Sequence, residues 1–226
     1  MSDSETIYGV FKEELKNRFL CIVNVNGTDT ICYIPSSCRL SNFIDLTNRK
    51  VLLQPIKKKD ARTKYSVYAV KYKRSYVSLN LAGANRVIEN SISRRMFAFL
   101  GSRRNVLREN TVNSYKSDLY IEDTDTVIEV KSILSFNKTA QFPTVFSERA
   151  IRQLEEINGL LMSGHKVCYL FLSMYSGVKH ICINEQQTEY YNRFQDCVNN
   201  GMMVCAFSLE MKEDQPIIKC QISVKT

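Results

Sequence analysis

The sequence predicts an α+β protein of two domains, a small β-barrel over residues 1–81 followed by a mixed sheet flanked by helices over residues 82–226. Three observations carry this. Five short strand-like runs crowd into about 60 residues near the start, the apolar period then changes from two to about four at Ala82, and a nearly continuous apolar run, KVCYLFLS, follows an amphipathic helix later on.

The first domain reads as RFLCIVNVNG, TDTICYIP, KVLLQPI, YSVYAVKY and SYVSLNL. Asn26-Gly27 between two apolar runs marks a hairpin, because both residues tolerate the positive φ angles of a tight turn. Five strands of this length suit a small closed or nearly closed barrel, of which the oligonucleotide-binding fold is the commonest five-stranded type. From Ala82 onward, Ile88, Ile92, Met96 and Leu100 recur at a spacing of four before Gly101, which predicts one helix over 83–100. Strands are expected at about 105–112, 117–122 and 126–134. A second helix should start at the cap Ser147 and stop at Gly164, with Ile151, Leu154, Ile157 and Leu161 on one face. KVCYLFLS suits a central strand covered on both sides. A helix over about 188–200 and the strand MMVCAFSL complete the order.

Composition narrows the function classes. The start of the chain has no basic segment followed by an apolar run, and nowhere do 18 apolar residues succeed one another, so neither a signal peptide nor a membrane span is expected. None of the eight cysteines forms a C-x-x-C pair, and most lie in apolar runs, which reads as reduced, buried thiols in a cytoplasmic protein. Only His165 and His180 accompany them, too sparse for a structural zinc site. Neither a G-x-x-x-x-G-K-[ST] loop nor a G-x-G-x-x-G turn occurs, which leaves a sugar-metabolising enzyme with little support.

The net charge of +8 is unevenly spread. Between Lys57 and Arg108 fourteen Lys or Arg face only Asp60 and Glu89, a net of +12, so the rest of the chain carries −4. Lys57, Lys58, Lys59, Arg62, Lys64, Lys71, Lys73 and Arg74, with Tyr65, Tyr68, Tyr72 and Tyr76 among them, suit the phosphates and bases of a nucleic acid. A solvated basic face with tyrosines at strand positions is the alternative.

The segment SDLYIEDTDTVIEVKS carries the chemistry. Residues i and i+2 of a strand share a face, so Glu129 and Lys131 project together, and a hairpin with the preceding strand would bring Asp118 to them. Two converging carboxylates make an oxygen site for Mg²⁺ or Mn²⁺, able to lower the pKa of a water and to neutralise charge on a phosphate, with Lys131 holding that water. A charged pair on a solvated strand face is the bland account of Glu129 and Lys131.

Beyond these residues, the chain resembles the sugar fermentation stimulation protein A family from about Arg18 to Phe207. The motifs RFLCIVNVNG, LNLAGANRVIENSI, IEVKS and QFPTVFSERAIRQLEEI carry the resemblance, with NNGMMVCAF a weaker match. It implies an oligonucleotide-binding-like barrel followed by a PD-(D/E)XK nuclease-like domain, with Asp118, Glu129 and Lys131 as the catalytic set and Asp118 and Glu129 as metal ligands. It also implies supporting or substrate-contacting roles for Glu109, Arg149 and Gln153, the last standing where a histidine is often found. Two departures stand out. The family's P-N-T-G turn is Pro35-Ser36-Ser37-Cys38 here, and the stretch from Glu109 to Asp118 is about two residues shorter. Nucleic acid, DNA ahead of RNA, is the expected partner, and a homodimer is compatible with the sequence. The two functions to be separated are a metal-dependent nuclease and a non-catalytic DNA-binding regulator linked to sugar metabolism.

Overall fold

A computed structural model describes residues 7–36, 39–212 and 215–226. Strands β1 (Ile7–Glu14), β2 (Leu20–Val25), β3 (Thr28–Tyr33), β4 (Lys50–Pro55) and β5 (Tyr65–Tyr72) form a closed barrel in the ring order β1-β2-β3-β5-β4, sealed where Tyr33 pairs in parallel with Ser66. Asn26 and Gly27 both have positive φ, 51° and 85°, and close the two-residue hairpin between β2 and β3. Cys21, Val23 and Val25 on β2 point inward with Val51 and Leu53 on β4, as the period of two requires.

The strand count of five holds for the barrel, but its members differ from those read in the sequence. Residues 75–78 form β6 (Ser75–Ser78), a hairpin extension of β5 outside the ring, and β1 takes its place. Strand β1 escaped detection because only Gly9 and Phe11 are buried on it and a bulge between Phe11 and Glu13 breaks its alternation. A bulge between Leu52 and Leu53 on the β4–β5 ladder has a larger effect. It lets Val67 and Val70 both face the barrel core, while Tyr68 and Ala69 turn outward to pack with Leu52 against Met211 of the second domain.

The second domain begins with α1 (Ala84–Ser91), and the single helix expected over 83–100 is broken. Arg94 is extended (φ −67°, ψ 150°), and a six-residue 3-10 helix follows over Arg95–Leu100. In an uninterrupted helix the carbonyl of Ile92 would accept from residue 96; here Arg103 Nε donates to it at 2.8 Å, and Arg94 reaches the carbonyl of Ile218. Phe97 and Leu100, three apart on the tighter helix, become the buried pair in place of Met96.

The strand expected over 105–112 is also divided. It becomes β7 (Val106–Arg108) and β8 (Thr111–Val112), with β9 (Tyr115–Lys116) forming a tiny hairpin with β8. Positive φ at Glu109, Asn113 and Ser114 breaks the extended run. Then come β10 (Leu119–Ile121), β11 (Thr126–Ile133), β12 (Thr139–Phe142), α2 (Glu148–Met162), β13 (Lys166–Ser173), β14 (His180–Ile183), α3 (Thr188–Asn199), β15 (Met203–Lys212) and β16 (Gln215–Lys225). The eight-stranded sheet runs β12-β14-β16-β15-β13-β11-β10-β7, parallel across β11, β13 and β15 and antiparallel at β10–β11 and β15–β16. Ser147 Oγ accepts from the Ala150 amide to cap α2, and Gly164 and Gly201, φ 92° and 95°, follow α2 and α3. Strands β12, β14 and β16 were not anticipated; two are only four residues long, and β16 alternates Ile with Gln, Lys and Ser.

The two domains share one hydrophobic core. The Ser78 amide donates to the Met174 carbonyl at 3.0 Å, and Tyr72 stacks on Phe136 at 4.1 Å under the Arg49 guanidinium. The seven cysteines among the described residues are free and buried or half-buried, and burial pushes the Cys32 and Cys197 thiols up to about 11. Protonated thiols of this kind are poor nucleophiles. Cys38 and Ser37, the end of the Pro35–Cys38 turn, lie outside the described residues. Among the described residues no helix is long and apolar enough to cross a membrane.

Candidate active site

Strand β11 presents Glu129 and Lys131 on one face, as the spacing of two demands. Strand β10 pairs with it antiparallel, Leu119 opposite Ile128, and that register continued by one residue sets Asp118 level with Glu129. Asp118 itself stands at the bend just before β10, a correction to its placement within a strand. The bend frees its carboxylate to accept from the Val130 amide through Oδ2 at 2.8 Å. Its Oδ1 accepts from Asn85 Nδ2, on α1, at 2.7 Å.

Glu129 is 4% exposed, a buried carboxylate that must be paired. Its Oε1 accepts from Lys131 Nζ at 2.6 Å and from Gln153 Nε2 at 3.2 Å, and its Oε2 accepts from the Tyr115 hydroxyl at 2.5 Å. Gln153 Oε1 in turn accepts from Lys131 at 2.7 Å, which closes a three-membered ring of side chains from β11 and α2. The Lys131 ammonium also lies 5.5 Å from the Tyr169 ring centre.

The charges do not balance. Two carboxylates face one ammonium, and burial, with the Glu129 charge behind it, holds the Asp118 carboxyl above its ordinary value. Burial and the same Glu129 charge push the Tyr115 phenol far up, so it is a hydrogen-bond donor throughout the physiological range. Such a site favours an added cation. Among the described residues no three His, Cys, Asp or Glu side chains converge on a metal-binding point, so an all-protein cage is not built. The donor set fits Mg²⁺ or Mn²⁺ in another way: Mg²⁺ is commonly held by one or two carboxylates, with waters and phosphate oxygens completing the shell.

The other residues singled out in the sequence divide. Gln153 joins the site directly. Arg149 is exposed in the first turn of α2, one turn before Gln153. Glu109 donates its amide to the Asp118 carbonyl, but its carboxylate faces solvent and pairs with Lys116. The eight basic residues of the barrel are all exposed and fall into two groups. Lys57, Lys58, Lys59, Arg62 and Lys64 occupy the β4–β5 loop, whereas Lys71, Lys73 and Arg74 sit at the opposite end of β5.

Two participants were missed. Asn85 lies within LNLAGANRVIENSI, but nothing in its spacing ties it to Asp118. Tyr115 arrives on the β8–β9 hairpin, whose tip is pinned where Asn113 Nδ2 meets His165 Nε2 at 3.0 Å and His165 Nδ1 meets the Asp125 carboxylate at 2.9 Å.

A cleft of about 1120 Å³ opens between the barrel and the second domain. Gln54, Tyr68 and Ser78 line it from the barrel side, and Asn85, Arg86 and Asp118 line it from the other. None of the eight basic residues named above lines it; Arg94 and Arg108 join Arg86 as its cations.

Comparison with known proteins gives a consistent picture. Two family models match, "SfsA N-terminal OB domain" over residues 15–79 and "Sugar fermentation stimulation protein RE domain" over residues 82–215. A sugar fermentation stimulation protein homolog of Natranaerobius thermophilus is 30% identical over 173 residues, 74% of this chain and 71% of that protein. The homolog of Caldanaerobacter subterraneus subsp. tengcongensis is 26% identical over 223 residues, 96% of each. The structure of Pyrococcus furiosus SfsA in complex with Ca²⁺ superposes with a TM-score of 0.84 at 19% identity, over 100% of this chain and 98% of that one, which establishes the shared fold.

Proposed function

The chain belongs to the sugar fermentation stimulation protein family, and from that premise we propose that it is a metal-dependent phosphodiester hydrolase, nuclease-like in its second domain, acting on nucleic acid at Asp118, Glu129 and Lys131. One observation carries the reading: two carboxylates and an ammonium meet at the β10–β11 edge with one negative charge in excess, and Asp118 opens onto a cleft that bears arginines. The Ca²⁺ in the Pyrococcus relative is a hard dication, of the class that oxygen donors of this kind select.

When bound, Mg²⁺ or Mn²⁺ supplies a water of lowered pKa and charge neutralisation at the phosphate. Asp118 and Glu129 would hold it. The chain's own work is positional. The Val130 amide and Asn85 fix the rotamer of Asp118, Tyr115 fixes that of Glu129, and Lys131, steadied by Gln153, would hold the attacking water. Incubation of single- and double-stranded DNA and RNA with the protein in Mg²⁺, Mn²⁺ or EDTA tests this. Strand scission in either metal and none in EDTA is expected; intact substrate under all three conditions contradicts it.

A second reading, a non-catalytic DNA-binding regulator linked to sugar metabolism, draws on a different observation. Each oxygen of the two carboxylates already accepts a hydrogen bond from the protein, as in a self-satisfied structural network. Under that reading the protein binds strands with the same affinity whether or not a divalent ion is present.

A further inference from the structure

The cleft beside Asp118 has a chemistry of its own. Arg86 is exposed on α1 with no ion-pair partner among the described residues, whereas Arg108 is tied to Glu89 at 3.4 Å and Arg94 to the Ile218 carbonyl. Amide side chains line the cleft as well, Gln54 from the barrel and Asn85 and Asn90 from α1. An amide offers a donor and an acceptor together, the pairing that an exposed base edge needs and that a paired base has already used. Size points the same way. One turn of duplex is about 34 Å long, and its major groove alone is about 12 Å wide. A recess of about 1120 Å³ between two domains accommodates a few nucleotides of one strand but not a duplex. Asn85 links the recess to the chemistry, because it lines the cleft while donating to Asp118 Oδ1.

We infer that this cleft takes unpaired nucleic acid, a single strand or a frayed end, with its phosphates toward Arg86 and Arg108 and its bases toward Gln54 and Asn90. The inference names the substrate class and rests on the phosphodiester-hydrolase reading. Glu109 also lines the cleft, and the pairing of its carboxylate with Lys116 offsets its repulsion of a phosphate. The barrel's basic loops then serve the strand outside the cleft.

The test is fluorescence anisotropy in EDTA, where no cleavage occurs, with a labelled six-nucleotide single strand, as DNA and as RNA, against a blunt duplex of the same sequence. The single strand should bind on the order of tenfold more tightly than the duplex. Arg86→Ala should weaken it several-fold and lower the slope of log K against log [salt] by about 0.7, the value for one phosphate contact on a single strand. Asn90→Ala, also at an exposed position, should weaken it without changing the slope. A duplex that binds as tightly as the single strand overturns the inference, as does no detectable binding of the single strand, or single-strand affinity untouched by both substitutions. Parallel cleavage assays in Mg²⁺ and Mn²⁺ separate the two claims. Single-strand binding without cleavage removes the hydrolase reading alone, and duplex cleavage that Arg86→Ala leaves intact removes the cleft alone.

Discussion

At the scale of single residues, Asp118 shows how burial acts against ionisation. Its folded-state pKa is raised, so the folded chain holds that proton more tightly than the unfolded chain does. The stabilising contribution is complete below the unfolded value and is lost as pH rises through the folded one, which leaves the ionised form at a disadvantage at neutral pH. Denaturant titrations across pH 3 to 7 should show that component in the wild type and its absence in Asp118→Asn. Tyr115 is the opposite case, a neutral donor that satisfies a buried carboxylate oxygen. Tyr115→Phe should cost about 1–3 kcal/mol of stability, the penalty of leaving Glu129 Oε2 unpaired. A cost below about 0.5 kcal/mol in chemical denaturation would show that water replaces the hydroxyl. Glu129 and Lys131 were legible in the sequence because a period of two on one strand dictates that they share a face. Tyr115 was not, because a separate hairpin of two-residue strands delivers it and no periodicity extends over so short a span.

At the scale of elements, the long, strongly patterned ones were readable and the short or interrupted ones were not. Strand β13 announced itself through an unbroken apolar run, and α2 through its Ser147 cap and Gly164 stop. Helix α1 was readable at its start but not at its end, since its apolar stripe continues past Arg94, where the extended backbone breaks the helix and Arg103 takes over the Ile92 carbonyl. Backbone conformation at two glycines, one within α2 and one just past its end, gives a paired test. Gly159 is helical with open space around it, so Gly159→Ala should stabilise the protein by about 0.5–1 kcal/mol. Gly164 has φ 92°, so Gly164→Ala should destabilise it by about 1–2 kcal/mol even though nothing crowds the new methyl. Thermal melts of both variants check the signs, and equal shifts in one direction would contradict the assigned end of α2.

At the scale of the whole molecule, the fold rearranges what is contiguous in the sequence. The run from Lys57 to Arg74 looks like one basic patch, yet β5 is eight residues long and separates its two groups by about 25 Å. A strand must be longer than that to touch both. Neutralising Lys58, Lys71 and Arg74 together should therefore lower the salt slope by about 2 for a twenty-nucleotide strand and by distinctly less for a six-nucleotide one. Equal reductions for both lengths would place the two groups on one short path. Divalent ions should act on stability as well. At a hundredfold excess over Kd a bound ion adds about 2.7 kcal/mol, or roughly 5–10 °C in Tm for a chain of this size. Glu129→Gln should abolish that increment, and its persistence would move the metal elsewhere.

The most direct measurement compares binding and cleavage in one variant, Lys131→Ala. The ammonium is one of 31 Lys and Arg side chains in the protein, so its loss removes little of the attraction for a polyanion, but under the proposed function it is the group that would hold the attacking water. The account predicts that Lys131→Ala binds a labelled single strand within about twofold of the wild type while metal-dependent cleavage falls by at least about a hundredfold. Cleavage that survives in Lys131→Ala at the wild-type rate, with binding equally unchanged, would contradict the assignment of the site.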